Sequence, residues 1–385
     1  MRFIYLTNSI TSDDYKTLLT SSIHYSNPSN QNFHHALITA FASNYHVEVI
    51  SPSYICNDSL LNSEEKHTFA YENYVKYNYL PIYKNKLSNY FRTKNSLYSK
   101  INKIIKESNE ETMIVVDAMN VLLSSLALRF GKSHKIKILG VITDNPNLIT
   151  NMPKIAKNKL LSNFTKFDYY ICLNDALNKL ANTKDKPYLI INGISYKCPE
   201  AQIMSDKEPY LFFAGALHEK YGVKHLLHAF LNTSGQYHLL IAGDGPLREY
   251  VVKKAIRSRR IKYLGTLSQA EIQAYENHAY ANINPRPLTK DMDTYCIPSK
   301  VIEYASSDAL TISTMHTLLH SQFETSIMWT KDDDVSLRCT IEEAFRLKSS
   351  LRNKIIKKAH TTIKNNYSIN EVSKKIDTFI KKISV

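Results

Sequence analysis

Glycine is scarce: nine residues in a chain of 385. So few exclude a collagen-like or linker-like polypeptide, and they make the position of each glycine informative. Cysteine is scarcer still. Cys56, Cys172, Cys198, Cys296 and Cys339 stand singly, without the paired spacing of a zinc site or a disulfide framework, and their pattern suits a reducing compartment. No long uninterrupted apolar run exists. The nearest, Met113 to Phe130, carries Asp117, Asn120, Ser124 and Ser125 through its middle, which reads as a strand, a turn and a helix rather than a membrane span. Residues 1 to 6 run directly into the strand-like Phe-Ile-Tyr-Leu, with no apolar core or small-residue cleavage site of a secretory signal, so the expected location is cytoplasmic.

What the chain has is positive charge. Forty-nine basic and thirty-five acidic side chains leave a net +14, which attracts phosphates, nucleic acid or anionic lipid and is silent about fold. The basic residues are dispersed rather than gathered among aromatics, so nucleic acid is not expected as a partner. The length suggests two domains of roughly 180 residues each.

Short apolar strands alternate with amphipathic helices twice over, the pattern of parallel α/β sheets. Strands are expected at Arg2–Leu6, His46–Ile50, Met113–Val116, Ile136–Ile142, Tyr169–Cys172 and Tyr188–Ile191, with helices at His34–Ser43, Leu87–Lys106, Val121–Phe130 and Asp175–Leu180 between them. The alternation begins again at Tyr210–Phe213 and continues through Tyr237–Ala242, Ile261–Leu264, Ala279–Ile283, Ala309–Ser313 and Ser326–Trp329. Helices near Val223–Leu231, Leu351–Asn365 and Ile369–Ile383 accompany or follow these strands. The expected division is a Rossmann-like domain over 1–196, a linker over 197–208, a second Rossmann-like domain over 209–366, and a C-terminal helix over 367–385 that packs back on the first domain. A cleft between two similar α/β domains is the default ligand site.

The segment Asn284 to Glu303 reads as a strand end, an irregular loop and a helix opening. Pro285, Pro287 and Pro298 oppose regular structure in the loop, and Pro298 suits a first helical position, with Ser299 and Lys300 in the first turn. A helix start offers unpaired N–H groups and a positive dipole end. Together with Arg286 and Lys300 these form a candidate diphosphate site, and Glu303 lies one turn on. Gly193, Gly215, Gly243 and Gly245 fall at strand-to-helix turns, where glycine permits positive φ and close approach of a backbone to a ligand, or serves only as a turn.

Five pieces of the chain occur in one order: Ile190-Ile-Asn-Gly-Ile, Phe213-Ala-Gly-Ala-Leu-His-Glu-Lys-Tyr-Gly-Val, His238-Leu-Leu-Ile-Ala-Gly-Asp-Gly-Pro-Leu, Arg260-Ile-Lys-Tyr-Leu-Gly-Thr-Leu and Pro298-Ser-Lys-Val-Ile-Glu-Tyr-Ala. In these the C-terminal half resembles the retaining GT-B glycosyltransferases of family 4, in the surface-polysaccharide subgroup with "NPRP" and "PSK". The first 180 residues resemble it only in pattern. The resemblance implies a GT-B fold, an α/β architecture of two Rossmann-like domains facing across a cleft. It also implies a nucleotide-diphosphate sugar donor held by the second domain, and an acceptor held mainly by the first. The sugar would be a hexose or relative, passed with retention to a growing, lipid-linked surface glycan of capsule or O-antigen type. A UDP-sugar is the expected donor, with GDP- and dTDP-sugars as alternatives.

Carried over residue by residue, the resemblance makes Glu303 the last glutamate of the family's E-x7-E motif, accepting from the ribose hydroxyls, as an ionised carboxylate does well. Lys220 falls near the family's phosphate-binding lysine. Arg286 and Lys300 go to the pyrophosphate or donor sugar, with Pro298 and Ser299 beside them. Gly215, Gly243 and Gly245 pass close to the nucleotide, and Leu264 flanks the base. Two departures stand out. The first glutamate of E-x7-E is Tyr295, leaving Asp291 or Asp293 to replace it, and the segment that should bring a histidine from the N-terminal domain is Val141-Ile-Thr-Asp-Asn-Pro, which puts Thr143 or Asp144 there. Asp144, Lys220 and Arg286 are the catalytic candidates. Asp291-Met-Asp293 has metal-motif spacing but sits in the proline-rich loop, so neither a metal nor a cofactor is expected. Leu87 to Lys106 forms a basic amphipathic helix, which either covers the sheet or attaches the protein peripherally to an anionic membrane surface. Two other functions fit the same fold: a non-catalytic GT-B partner subunit, and a sugar-nucleotide epimerase.

Overall fold

The computed structural model describes residues 1–20, 28–52, 69–82, 86–196, 201–203 and 208–384. The expected linker, 197–208, lies for the most part outside the described residues, as do Cys56 and Cys198. Two compact units result: Met1–Ile194 together with Ile369–Val385, and Ser195–Ser368.

The first unit is an eight-stranded sheet. Its strands are β1 (Arg2–Leu6), β2 (His46–Pro52), β3 (Phe69–Glu72), β4 (Val75–Leu80), β5 (Thr112–Asp117), β6 (Ile138–Ile142), β7 (Tyr169–Cys172) and β8 (Tyr188–Ile190), in the order β3-β4-β2-β1-β5-β6-β7-β8. Every pairing is parallel except β3 with β4. Those two form a hairpin across Asn73 and Tyr74, whose φ values of 48° and 66° give the primed turn that such a short connection requires. Strand β1 is buried along its whole length, as expected where helices cover both faces of a parallel sheet. Phe3, Tyr5, Phe41 and Tyr77 pack together with Val372, Ile376, Phe379 and Ile380 of the last helix, Ile369–Ile383. Tyr45 donates to Asp377 at 2.9 Å and Asn44 to Ser373 Oγ at 2.7 Å, so the chain's end is part of the first core.

The second unit is a six-stranded, wholly parallel sheet of β9 (Tyr210–Ala214), β10 (His238–Ala242), β11 (Ile261–Gly265), β12 (Ala281–Asn284), β13 (Leu310–Thr314) and β14 (Met328–Thr330), in the order β11-β10-β9-β12-β13-β14. In both units the first strand sits mid-sheet and the strand order reverses there, at β1 and β5 in one and at β9 and β12 in the other. Ligands of open α/β sheets collect outside the carboxyl ends of strands at such a reversal. The segments leaving those ends are Asn8–Ser9 and Asp117–Asn120 in the first unit, and Gly215–Leu217 and Pro285–Pro287 in the second.

Some local expectations need correcting. The helix expected from His34 begins at Pro28, where proline's fixed φ suits the opening turn. The proline-rich loop is not wholly irregular: Thr289 accepts from the amide of Met292 and caps a helix over Lys290–Tyr295. Pro298 is the cap residue before helix Ser299–Ala305 rather than its first residue, and provides no side-chain bond to it.

Candidate functional site

In the second unit the carboxyl ends of β9 and β12 are held in register by glycines. Gly243 has φ 129°, and a Cβ there would lie 1.9 Å from the carbonyl oxygen of Gly215. The loop after β10 therefore lies directly on the loop after β9, tied by Leu217 N to Asp244 O at 2.8 Å and Leu247 N to Leu217 O at 2.9 Å. Gly245, with φ 153°, belongs to the same close approach. Leu264 on β11 packs with the cluster that includes Phe212 and Ala242. Gly222, which the sequence offers only as the residue following Lys220-Tyr221, has φ 76°, and its missing Cβ makes room for the carbonyl of Pro285, 1.9 Å from where that atom would sit. This contact brings Lys220 and Arg286 together. Their charged ends lie 5.1 Å and 5.5 Å from the centre of the Tyr221 ring, within cation–π range.

Arg286 projects beside a small recess, about 10 Å³, lined by Asn284, Met292, Cys296, Pro298, Thr314 and His316. Its Nη2 reaches Met292 Sδ at 3.6 Å, while its Nε is buried without a hydrogen-bond partner. A buried N–H left open costs free energy until an acceptor arrives, which marks the guanidinium as ready for an anion or a hydroxyl. His316 accepts from Leu319 N and contacts Cys296 O at 2.8 Å; burial lowers its pKa more than the Cys296 carbonyl and the Asp293 carboxylate raise it. Asp293 does not face an open site. Its carboxylate accepts from the amide and hydroxyl of Thr317 at 2.8 Å and 2.6 Å, capping helix Thr317–Phe323. Tyr295 ends helix Lys290–Tyr295 and is half-buried.

Helix Ser299–Ala305 carries the charged centre of the site. Lys300 Nζ lies 2.8 Å from Glu303 Oε2, one turn away, and 3.3 Å from Glu276 Oε1. Gln269 donates to the other oxygen of Glu303 at 2.7 Å. Sequence reasoning expected Lys300 and Glu303; it did not expect Glu276, whose side chain is only 2% exposed. Burial opposes the Lys300 charge, but Glu303 and then Glu276 outweigh it and hold its pKa above the ordinary lysine value. Glu276 behaves oppositely. Burial, then repulsion from Glu303, push its pKa up to about 8 in spite of Lys300. The site is thus not the purely cationic crevice that Arg286 and Lys300 suggest in the sequence, but an ammonium shared by two carboxylates. Ser299 is exposed at the helix start, and Tyr304 bonds back to Ala214 of β9, linking this helix to the strand end.

The first unit has a site of its own. Asn8, Ser9, Asn30, Gln31, Asp117, Met119, Asn120, Asp144, Ile149 and Met152 line an open recess of about 330 Å³ at the carboxyl ends of β1 and β5. Asp117 is buried in its wall. Burial alone would raise its pKa, but His34 at 3.5 Å, the amide of Met119 and the Asn30 side chain lower it, so it stays ionised. His34 is fixed in turn by a 2.7 Å bond between Nδ1 and the Tyr5 hydroxyl. Asp144, the residue expected from this unit, is exposed at the same recess. Thr143 is buried, its hydroxyl without a partner. The signal for Asp117 is present in the sequence, as a carboxylate at the end of an apolar strand, where it also looks like a mere interruption of a hydrophobic run.

Among the described residues no group of three or more His, Cys, Asp or Glu side chains is placed to hold a metal ion, and no helix is long and apolar enough to cross a membrane.

Residues 208–341 match the family described as Glycosyl transferases group 1. No curated protein matches the chain. Solved structures match over nearly its full length. Sucrose-phosphate synthase from Thermosynechococcus elongatus aligns over 100% of this chain and 99% of its own, with a TM-score of 0.67 and 11% identity. HepE of Anabaena, in complex with UDP and glucose, aligns over 99% and 100%, with a TM-score of 0.67 and 11% identity. A glycosyltransferase from Rickettsia africae ESF-5 aligns over 99% and 98%, with a TM-score of 0.64 and 15% identity. At such identities the likeness is one of fold, and the fold is GT-B. Together with the match over 208–341, it supports a transferase enzyme of the glycosyltransferase class.

Proposed function

We propose that the chain is a retaining glycosyltransferase of family 4 type that moves a hexose or related sugar from a nucleotide-diphosphate sugar to a growing, lipid-linked surface glycan. The observation carrying this reading is the Lys300–Glu303 pair, one turn apart on the helix after Pro298, inside the segment that matches Glycosyl transferases group 1. One side chain suits a diphosphate, the other a pair of ribose hydroxyls. Arg286, with its open Nε, and Lys220 stand against the same Tyr221 ring, and we assign both to the charge that grows on the departing diphosphate. Stabilising that charge is enough for transfer through an oxocarbenium-like state without a covalent intermediate. HepE, bound to UDP and glucose, favours a UDP-sugar first, with GDP- and dTDP-sugars to be compared.

We assign the acceptor to the recess of the first unit, where amide side chains and the ionised Asp117 offer the hydrogen-bonding groups that a polyhydroxylated ligand needs. Asp144 borders it. The proposed setting is the inner face of an anionic membrane. A second reading, a catalytically silent GT-B subunit, draws on Tyr295 in place of a glutamate and on Asp293, which is committed to Thr317. Slow hydrolysis of a sugar nucleotide by the purified chain, unchanged by chelator, fits the first reading. A chain that binds a donor but never cleaves it fits the second, and activity lost to chelator and restored by magnesium or manganese contradicts transfer without a metal.

A further inference from the structure

One ammonium and two carboxylates meet between helix Gln269–His278 and helix Ser299–Ala305. Lys300 Nζ contacts Glu303 at 2.8 Å and Glu276 at 3.3 Å, and Gln269, two turns before Glu276, holds the far oxygen of Glu303. With every group ionised the cluster carries a net negative charge, most deeply at Glu276. A buried carboxylate without full compensation is costly, and here it lies beside the groups assigned to an anionic ligand. We propose that Glu276 is a positioning residue that holds Lys300 and Glu303 in place, and that binding of a nucleotide-diphosphate sugar is accompanied by uptake of one proton on the Glu276 carboxyl. The inference rests on the donor reading of this site.

An ammonium has three N–H donors, and Lys300 gives one to each carboxylate, leaving a third for a phosphate oxygen. The arriving diphosphate adds negative charge next to a cluster already rich in it. The cheapest neutralisation is a proton on the most buried acid. A protonated Glu276 still accepts from Lys300 through its carbonyl oxygen and can donate to Glu303, so the geometry is kept while the charge is relieved. Three titratable groups bear on it, all from helix Ser299–Ala305: Lys300, Glu303 and Tyr304. Tyr304 is already committed to the backbone of Ala214. From the helix of Glu276 itself Gln269, which does not titrate, holds the far oxygen of Glu303. In the free protein burial and the Glu303 charge hold the Glu276 carboxyl well above the usual carboxylate range in spite of Lys300. Binding therefore takes up a proton only where the pH is high enough to have ionised that carboxyl beforehand.

Calorimetric titration of the full chain with UDP-glucose, in buffers of different ionisation enthalpy, counts that proton. We expect close to one proton per bound nucleotide at about pH 9, almost none at about pH 6.5, and affinity falling about tenfold per pH unit above about pH 8. Glu276→Gln, which mimics the acid, should bind with no proton uptake and a flat profile, tighter than wild type at the high-pH end; melting curves check its fold. Wild-type binding without proton uptake at high pH overturns the inference, as does a Glu276→Gln profile that follows the wild type, and the wild-type count decides alone if the variant does not fold. Absence of binding to UDP-, GDP- and dTDP-sugars alike removes the donor reading and this inference with it, whereas binding without a proton removes the inference only.

Discussion

Small residues and single charges set this site. Gly222 is required twice over, by its φ of 76° and by the Pro285 carbonyl that occupies the place of a side chain. Gly222→Ala is therefore expected to lose about 1–3 kcal/mol of stability and to part Lys220 from Arg286, because the two loops meet through that contact. Denaturant unfolding measures the first effect and donor affinity the second; a variant as stable and as tightly binding as wild type refutes the packing argument. Gly243 and Gly245 show how a sequence signal can be sound and its meaning incomplete. Their placement at strand ends was legible, yet the backbone they admit most closely is the protein's own 215–217 loop. Glu276 was illegible for a different reason. Tyr-Glu-Asn-His in a polar helix looks like a solvated face, and the lysine that makes the glutamate matter lies 24 positions away.

Among the elements, the central strands of both sheets were plain from their apolar runs, because a strand buried on both faces has no polar option. The β3–β4 hairpin escaped, since half of its outer strand is exposed and its turn, Asn73-Tyr74, lacks glycine. Helix Ser12–Thr20 and helix Lys154–Phe164 escaped because few of their side chains reach a core. The basic helix Lys86–Lys106 is legible in the sequence, which allows it either to cover a sheet or to lie on a membrane. Leu97, Ile101 and Ile104 are fully buried within the first unit, while Lys103 and Lys106 are exposed. The stripe from Leu97 onward is occupied and, among the described residues, Phe91 is the one large apolar side chain exposed on this helix, so we expect any membrane attachment through this element to be mainly electrostatic. Flotation with anionic vesicles is expected at low salt and should be lost by about 0.5 M salt, where the screening length falls to a few ångströms. Binding to neutral vesicles, or none to anionic ones, contradicts this.

At the scale of the whole molecule the fold was legible because the βα alternation restarts near residue 210, and the two sheets repeat one strand order. The chain nevertheless does not divide at a single point. Helix Ile369–Ile383 belongs to the first core, where Ile376 is wholly buried and Phe379 nearly so. Ile376→Ala is expected to destabilise that core by about 2–5 kcal/mol. Hydrogen exchange should then report weaker protection in β1 and β2, with the second unit's strands unchanged; equal loss in both units would mean that they unfold together.

The central claim is that the second unit holds a nucleotide-diphosphate sugar through Lys300 and Glu303. Its most direct test is titration of the wild-type chain and Glu303→Ala with the same sugar nucleotide, chosen from UDP, GDP and dTDP donors by the rise in melting temperature that selective binding produces. Loss of the carboxylate should weaken binding by about 1.5–3 kcal/mol, roughly 10- to 150-fold. Equal affinity in the two proteins would take Glu303 out of the site and contradict the account.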